Sequence, residues 1–429
     1  LNAKWMIAGA GVLVVAGGLP WVVGYVTEQQ WQRATAEVNS TQPFLKLETE
    51  DYRRGILGSE LSGSVSLLNP ETGESNRVAF RADVTHGVTG SLMNFEPADG
   101  WSAPGMDWFP VEDPRLTLET RLWGTATLEL EVPGMSVTDA GTGESLDTSG
   151  GLARIEISDA GSSAEALVVW PALRLSGPEM DVRVSDFRME QTMNHLSGEI
   201  WTGSGEVVVE SVSVTPDQEQ PVALNGISVQ SSSESVNNGG RLDSRVAFEV
   251  ADIALSEEAY APQRLVFALE GLDVAAWSAL TESLSAMQAL AVTQASGDQD
   301  RFDQQMAAME QMNAAVRDLA AAGFSVGFPE LYITTPEGAV TGSARISHPE
   351  LTADQKTEML MVMQRLTGDM NLSLPLALAE TYPELRLQLA PLIKQGILVQ
   401  EGDRLVLDAQ VKDLMVDVNG VEIPLPPLL

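Results

Sequence analysis

Apolar positions along this chain fall into three patterns, and each marks off a stretch. Trp5 to Val26 is a run of 22 residues without a charge. As a helix rising about 1.5 Å per residue it spans roughly 33 Å, enough for a bilayer's hydrocarbon core. From about residue 44 to 272 the period becomes two. Val78, Phe80, Ala82 and Val84 alternate with Arg77, Ala79, Arg81 and Asp83; Leu128, Leu130 and Val132 alternate with Thr127, Glu129 and Glu131; Val246, Phe248 and Val250 alternate with Arg245, Ala247 and Glu249. This pattern predicts antiparallel strands with one buried and one wet face, punctuated at Asn69-Pro70, Gly150-Gly151 and Asn237 to Gly240.

Between 273 and 322 the period is helical. Trp277, Leu280, Leu284, Met287 and Ala291 form one stripe, and Phe302, Met306, Met309, Asn313 and Val316 a second. With Asp298 as N-cap and Gly323 as C-terminal stop they predict an αα-hairpin whose stripes face each other. The Met-rich stripe reads as core, with an adaptable partner surface as the alternative. Strands follow near 326–333 and 339–346, then a helix after Thr352, a strand at 369–374, and a helical stretch broken at Pro383. A final hairpin runs through Arg404–Val411 and Leu414–Val418, turning at Asn419-Gly420, ahead of the apolar tail Ile423 to Leu429. The tail packs on its own domain or docks on a neighbour.

The predicted fold class is α+β, predominantly antiparallel β, with an N-terminal transmembrane helix. The expected domains are an anchor (1–27), a stalk helix (28–43), a β-rich domain (44–272), a helical hairpin (273–324) and a C-terminal α+β domain (325–429). Trp5 at one end of the run, and Trp21 and Tyr25 at the other, suit the headgroup level. A cleaved signal peptide is the rival reading, but the run exceeds an h-region and no Ala-x-Ala site follows it. Lys4 before the run and Glu28 after it place the short tail in the cytoplasm and the bulk outside. Within the run Ala10, Gly17 and Gly24 recur every seven residues, with Gly11 and Gly18 beside them. Small residues on one helical face allow close helix–helix packing, although glycine is also simply common in membrane helices.

Charge narrows the partners. The net charge is −35, a surface that repels phosphate and therefore argues against nucleic acid and against lying flat on anionic lipid. There is no cysteine, which removes disulfides, zinc–thiolate sites and cysteine nucleophiles. His86, His195 and His348 are more than 100 residues apart and lack metal-ligand spacing. No nucleophile elbow, phosphate loop or dinucleotide fingerprint is present, and Asp298, Asp300 and Asp303 lack the glycine and terminal glutamate of a calcium loop. No catalytic residue, cofactor or metal site is expected. Trp101, Trp108 and Phe109 in a Pro/Gly-rich loop are either a contact site or a plug folded back on the sheet.

Several segments carry a family resemblance. Tyr52-Arg53-Arg54-Gly55-Ile56-Leu57-Gly58-Ser59 follows the anchor, and Val84-Thr85-His86-Gly87 closes a strand. Leu269 to Trp277 leads into the helices, and Asn419-Gly420 closes the chain's last hairpin. In order and spacing these pieces resemble the YdgA-like family of Gram-negative envelope proteins, with Val88 where a proline is usual. The resemblance implies an inner-membrane, single-pass anchor, a periplasmic ectodomain and self-association, and it supplies no catalytic residues. His86-Gly87 itself reads as structural, the glycine permitting a tight turn and the histidine tying its backbone. The expected function is a noncatalytic, membrane-anchored structural protein that forms a homo-oligomer and meets membrane lipid through its N-terminal helix. The alternative is lipid binding or transfer in a curved β-sheet groove.

Overall fold

The computed structural model describes residues 22–36, 38–39, 44–69, 75–102, 106–139, 141–198, 200–217, 220–255, 258–292, 298–358 and 365–425. Trp5, Ala10, Gly11, Gly17, Gly18 and Trp21 lie outside them. Among the described residues no helix is long and apolar enough to cross a membrane. The protein is predominantly antiparallel β with a minority of helix, and it divides into two compact units, Leu1–Thr192 and Met193–Leu429. The division falls inside the segment 44–272, whose alternation continues through it without a change of period.

In the first unit, helix α1 (residues 22–36) precedes an antiparallel meander. Its strands are β1 (Leu45–Arg54), β2 (Gly58–Leu68), β3 (Ser75–His86), β4 (Gly90–Pro97), β5 (Arg115–Arg121), β6 (Ala126–Thr138), β7 (Ser145–Ser158) and β8 (Ser163–Ser176), each paired with the next; β9 (Met180–Ser197) carries the chain across the division. Alternation does its predicted work in β3 from Phe80 onward, where Phe80, Ala82, Val84 and His86 are buried and their neighbours exposed, whereas Val78 of the same face is 55 % exposed. The register sets Leu61, Ala82, Phe95, Leu116, Leu130, Ala153 and Val168 in one row across seven strands.

Helix α1 lies on the first strands of that face. Val23, Thr27 and Trp31, four residues apart, are its buried stripe. Trp31 packs with Leu61, Phe80, Ala82, Val84 and Met93, meets the Phe80 ring edge-on at 6.3 Å, and donates from Nε1 to Thr49 Oγ1 at 2.9 Å. Residues 28–36, read from sequence as a stalk, are therefore in contact with the sheet. Residues 22–27, assigned to the anchor, belong to the same docked helix. A polar-looking helix docks here because its one apolar stripe meets an apolar sheet face.

The second unit is another meander interrupted by helices. β10 (Ile200–Pro216), β11 (Val222–Val236), β12 (Arg241–Leu255), β13 (Glu258–Tyr260) and β14 (Gln263–Asp273) lead into α2 (Val274–Val292) and α3 (Asp298–Ala322). Then come β15 (Phe324–Thr335), β16 (Gly338–His348), α4 (Ala353–Glu358), β17 (Thr367–Pro375), α5 (Leu376–Thr381), α6 (Pro383–Lys394), β18 (Val399–Glu401), β19 (Arg404–Lys412), β20 (Met415–Val418) and β21 (Val421–Pro424). The ladder runs β10, β11, β12, β14, β15, β16, β17, β19, β20, β21, with β13 on β12 and β18 on β19.

Two local readings need correction. The αα-hairpin forms, but Met306 and Met309 are 51 % and 47 % exposed, while Ala308, Ala315 and Leu319 are buried. Alanines let α3 approach its neighbours closely, which turns the bulkier methionines outward. Asn419-Gly420 joins β20 to β21; the β19–β20 turn is Asp413-Leu414, both at positive φ. The tail does begin on its own unit, where Ile423 of β21 pairs with Val416 of β20. Of the helix expected after Thr352, residues 359–364 fall outside the described residues.

Candidate functional site

The hairpins of the first unit bring the two resemblance motifs together. The β1–β2 register sets Arg54 opposite Ser59, and the β3–β4 register sets His86 opposite Ser91. His86 Nε2 hydrogen-bonds Ser59 Oγ at 2.7 Å and Nδ1 bonds Ser91 Oγ at 2.8 Å; Ser91 Oγ in turn bonds Thr27 Oγ1 of α1 at 2.8 Å. Gly24, one turn earlier, lies against the imidazole: a β-carbon there would stand 2.8 Å from Nε2. Arg54 Nη1 donates to Glu28 Oε2 at 2.7 Å and its guanidinium lies 5.3 Å from the centroid of the Tyr25 ring.

Burial foremost, and then the Arg54 charge, push the His86 pKa below its usual value. Burial likewise raises the Tyr52 phenol, which Ser59 partly offsets. A serine against an imidazole is the beginning of a nucleophile–base pair. Here, however, Ser59, His86 and Ser91 are 6 %, 5 % and 2 % exposed, and the helix backbone covers the ring. No substrate can approach either hydroxyl. The arrangement is a fastening between α1 and the sheet, made by the histidine side chain and not by the backbone tie read from sequence; the Gly87 turn closes separately, its N–H donating to Gly90 O at 2.8 Å.

Other sequence-derived candidates scatter. Tyr25 is 45 % exposed and accepts a hydrogen bond from Gln29 Nε2 at 2.6 Å. Gly24 has His86 for a neighbour in place of the partner helix expected for it. Trp101, Trp108 and Phe109 are half-buried; Trp108 N–H donates to Ser102 Oγ at 3.0 Å, and Met106 and Val111 are exposed. His195 Nε2 donates to Gly198 O and its ring meets Trp201 edge-on. His348 is buried, bonding Pro349 O and stacking on Phe324. Among the described residues no three His, Cys, Asp or Glu side chains converge as a metal site. Gly323 does end α3, at φ +81.

What sequence reasoning missed is how much of the apolar sheet face stays open. In the first unit Leu128, Ile155 and Ile157 are 36–42 % exposed beyond the reach of α1. In the second, one cross-strand row reads Val207, Val229, Phe248, Leu265, Leu331, Gly342, Leu372 and Leu407. Helices cover its flanks: α2 and α3 bury Leu242 and Leu272, and α5 buries Leu374 and Leu405. Phe248 and Val246 between them remain 42 % and 37 % exposed. The reverse face carries ion pairs, with Arg264 donating to both Glu249 and Glu330.

A family model for a bacterial protein of unknown function (DUF945) matches residues 3–426. The chain belongs to that family. No curated protein and no solved structure matches it.

Proposed function

We propose that this is a noncatalytic, membrane-anchored envelope protein of the YdgA-like kind, single-pass in the inner membrane with its β-rich bulk in the periplasm. Its role is structural, and copies assemble through the small-residue stripe of the anchor. The observation that carries this reading is the docking of α1. The helix that emerges from the charge-free run is fastened to the sheet by Gly24, Thr27 and Trp31, so an anchor in the bilayer would hold the first unit rigidly. With Gly24 engaged by His86, the stripe left for helix–helix contact is Ala10, Gly17, Gly11 and Gly18. Alkaline washing of membranes tests the anchor: the chain stays in the pellet, and protease added to spheroplasts digests the bulk. Full-length protein released into the wash would overturn the proposal.

A second reading, lipid binding by the β-sheet, is favoured by the uncovered apolar rows, since each exposed Phe or Val on them forgoes about 25 cal/mol per Å² of burial. Mass spectrometry of organic extracts of the purified chain tests it. Extracts that hold no lipid beyond the detergent background remove it.

A further inference from the structure

We infer that the open strip on the second unit's sheet binds one saturated alkyl chain, the hydrocarbon part of a lipid. The inference rests on the lipid-binding reading and gives it a place. Val246, Phe248, Phe328 and Met370 stand 37 %, 42 %, 43 % and 40 % exposed on one face of β12, β15 and β17, with Leu265 and Phe267 of β14 between them. The Phe267 and Phe328 rings meet edge to face at 5.4 Å. Helices close the strip on two sides, over Leu242 and Leu272 and over Leu374 and Leu405. Five neighbouring strands, β12 to β17, set about 4.8 Å apart give it a length of roughly 19 Å, the reach of an extended palmitoyl chain.

Three observations choose an alkyl chain over other occupants. Hydroxyls beside the strip are already engaged: Ser231 donates to Gly205 O, and Ser233 pairs with Ser244. Strands β12, β14, β15 and β16 have a partner on each side, so their backbone groups are taken up in the ladder. A peptide laid on this face would bury its own amides without partners, since strand addition needs a sheet edge; a hydrocarbon has no such groups to satisfy. A second copy pressed face to face here would bring another net charge of −35 against the first, whereas the self-association proposed above meets through the charge-free run.

Photolabelling tests the site. The full chain, held in amphipol, is irradiated with palmitate bearing a terminal diazirine, and adducts are mapped by peptide mass spectrometry. Adducts on β12, β15 and β17, suppressed by unlabelled palmitate, are expected. Joint replacement Phe248→Ser and Met370→Ser should lower labelling about tenfold while the protein still unfolds in a single cooperative transition, whereas Arg245→Ser on the reverse face should leave labelling unchanged. Competed adducts confined to other strands would overturn this site while leaving the lipid reading intact. Absence of any competed adduct would overturn both. A dimer in sedimentation that dissociates in the double variant, with no strip labelling, would assign the face to a second copy instead.

Discussion

Gly24 of α1 sits directly on the imidazole of His86, 62 positions later in the chain, with space for a hydrogen where any other residue would need a β-carbon 2.8 Å from Nε2. Glycine inside a helix costs about 1 kcal/mol against alanine, and the contact explains what that cost secures. The imidazole cannot swing aside, because Ser59 and Ser91 hold both its nitrogens. Gly24→Ala should therefore destabilise the first unit by about 1–3 kcal/mol despite its better helix propensity. In a His86→Ala background the same change should be neutral or stabilising. Urea denaturation of the four proteins gives the coupling; equal effects in both backgrounds would refute the contact.

Ser91 is the link between the sheet histidine and the helix. Ser91→Ala removes partners from both His86 Nδ1 and Thr27 Oγ1. Leaving buried polar groups unsatisfied should cost about 1–3 kcal/mol. The loss should be concentrated at the helix, so Trp31 fluorescence and amide exchange across residues 22–36 should report opening of α1 before the strands unfold. Protection of α1 unchanged from wild type would contradict this role.

Protonation of His86 should loosen the same fastening. Its folded-state pKa is depressed, by burial and by Arg54, so between that value and about 6.5 the unfolded chain binds the proton and the folded chain does not. The stability from neutral His86 is then fully present above about pH 6.5 and declines as pH falls through the window. Glu28 pairs with Arg54 beside the ring, and the Tyr52 phenol stays neutral throughout this range. Acidification also relieves repulsion within a chain of net charge −35, so the measurement is the difference in pH slope between wild type and His86→Gln. Wild type should lose more stability than the variant from neutral pH down to about pH 5; parallel slopes would show that His86 does not titrate in the window.

Arg241 plays a comparable part at the base of the helical hairpin. Its Nη1 donates to Gly271 O at 2.8 Å and Gly323 O at 3.1 Å, the points where the chain enters α2 and leaves α3. Its ion pair with Glu350 contributes little, because that carboxylate is 75 % exposed. Arg241→Met should cost about 1–3 kcal/mol through the two carbonyls and raise amide exchange at the α2 and α3 ends. Glu350→Gln should change neither by more than about 0.5 kcal/mol.

The strands and the helical hairpin were legible in local patterns. Side-chain alternation in β3 and β12 and the 3.6-residue period after Asp273 are local properties, readable without knowing what lies across from them. The expectation of a membrane anchor over residues 1–27 likewise rests on local sequence. Tertiary packing set Gly24 against His86 of β3 and Thr27 against Ser91 of β4, because each contact depends on register between segments some sixty residues apart. It also decided that Met306 points outward while Ala308 packs inward, and that the apolar sides of β12, β14 and β15 form one strip that the helices leave partly open. Periodicity fixes which side chains share a face; what covers that face depends on where distant elements come to rest.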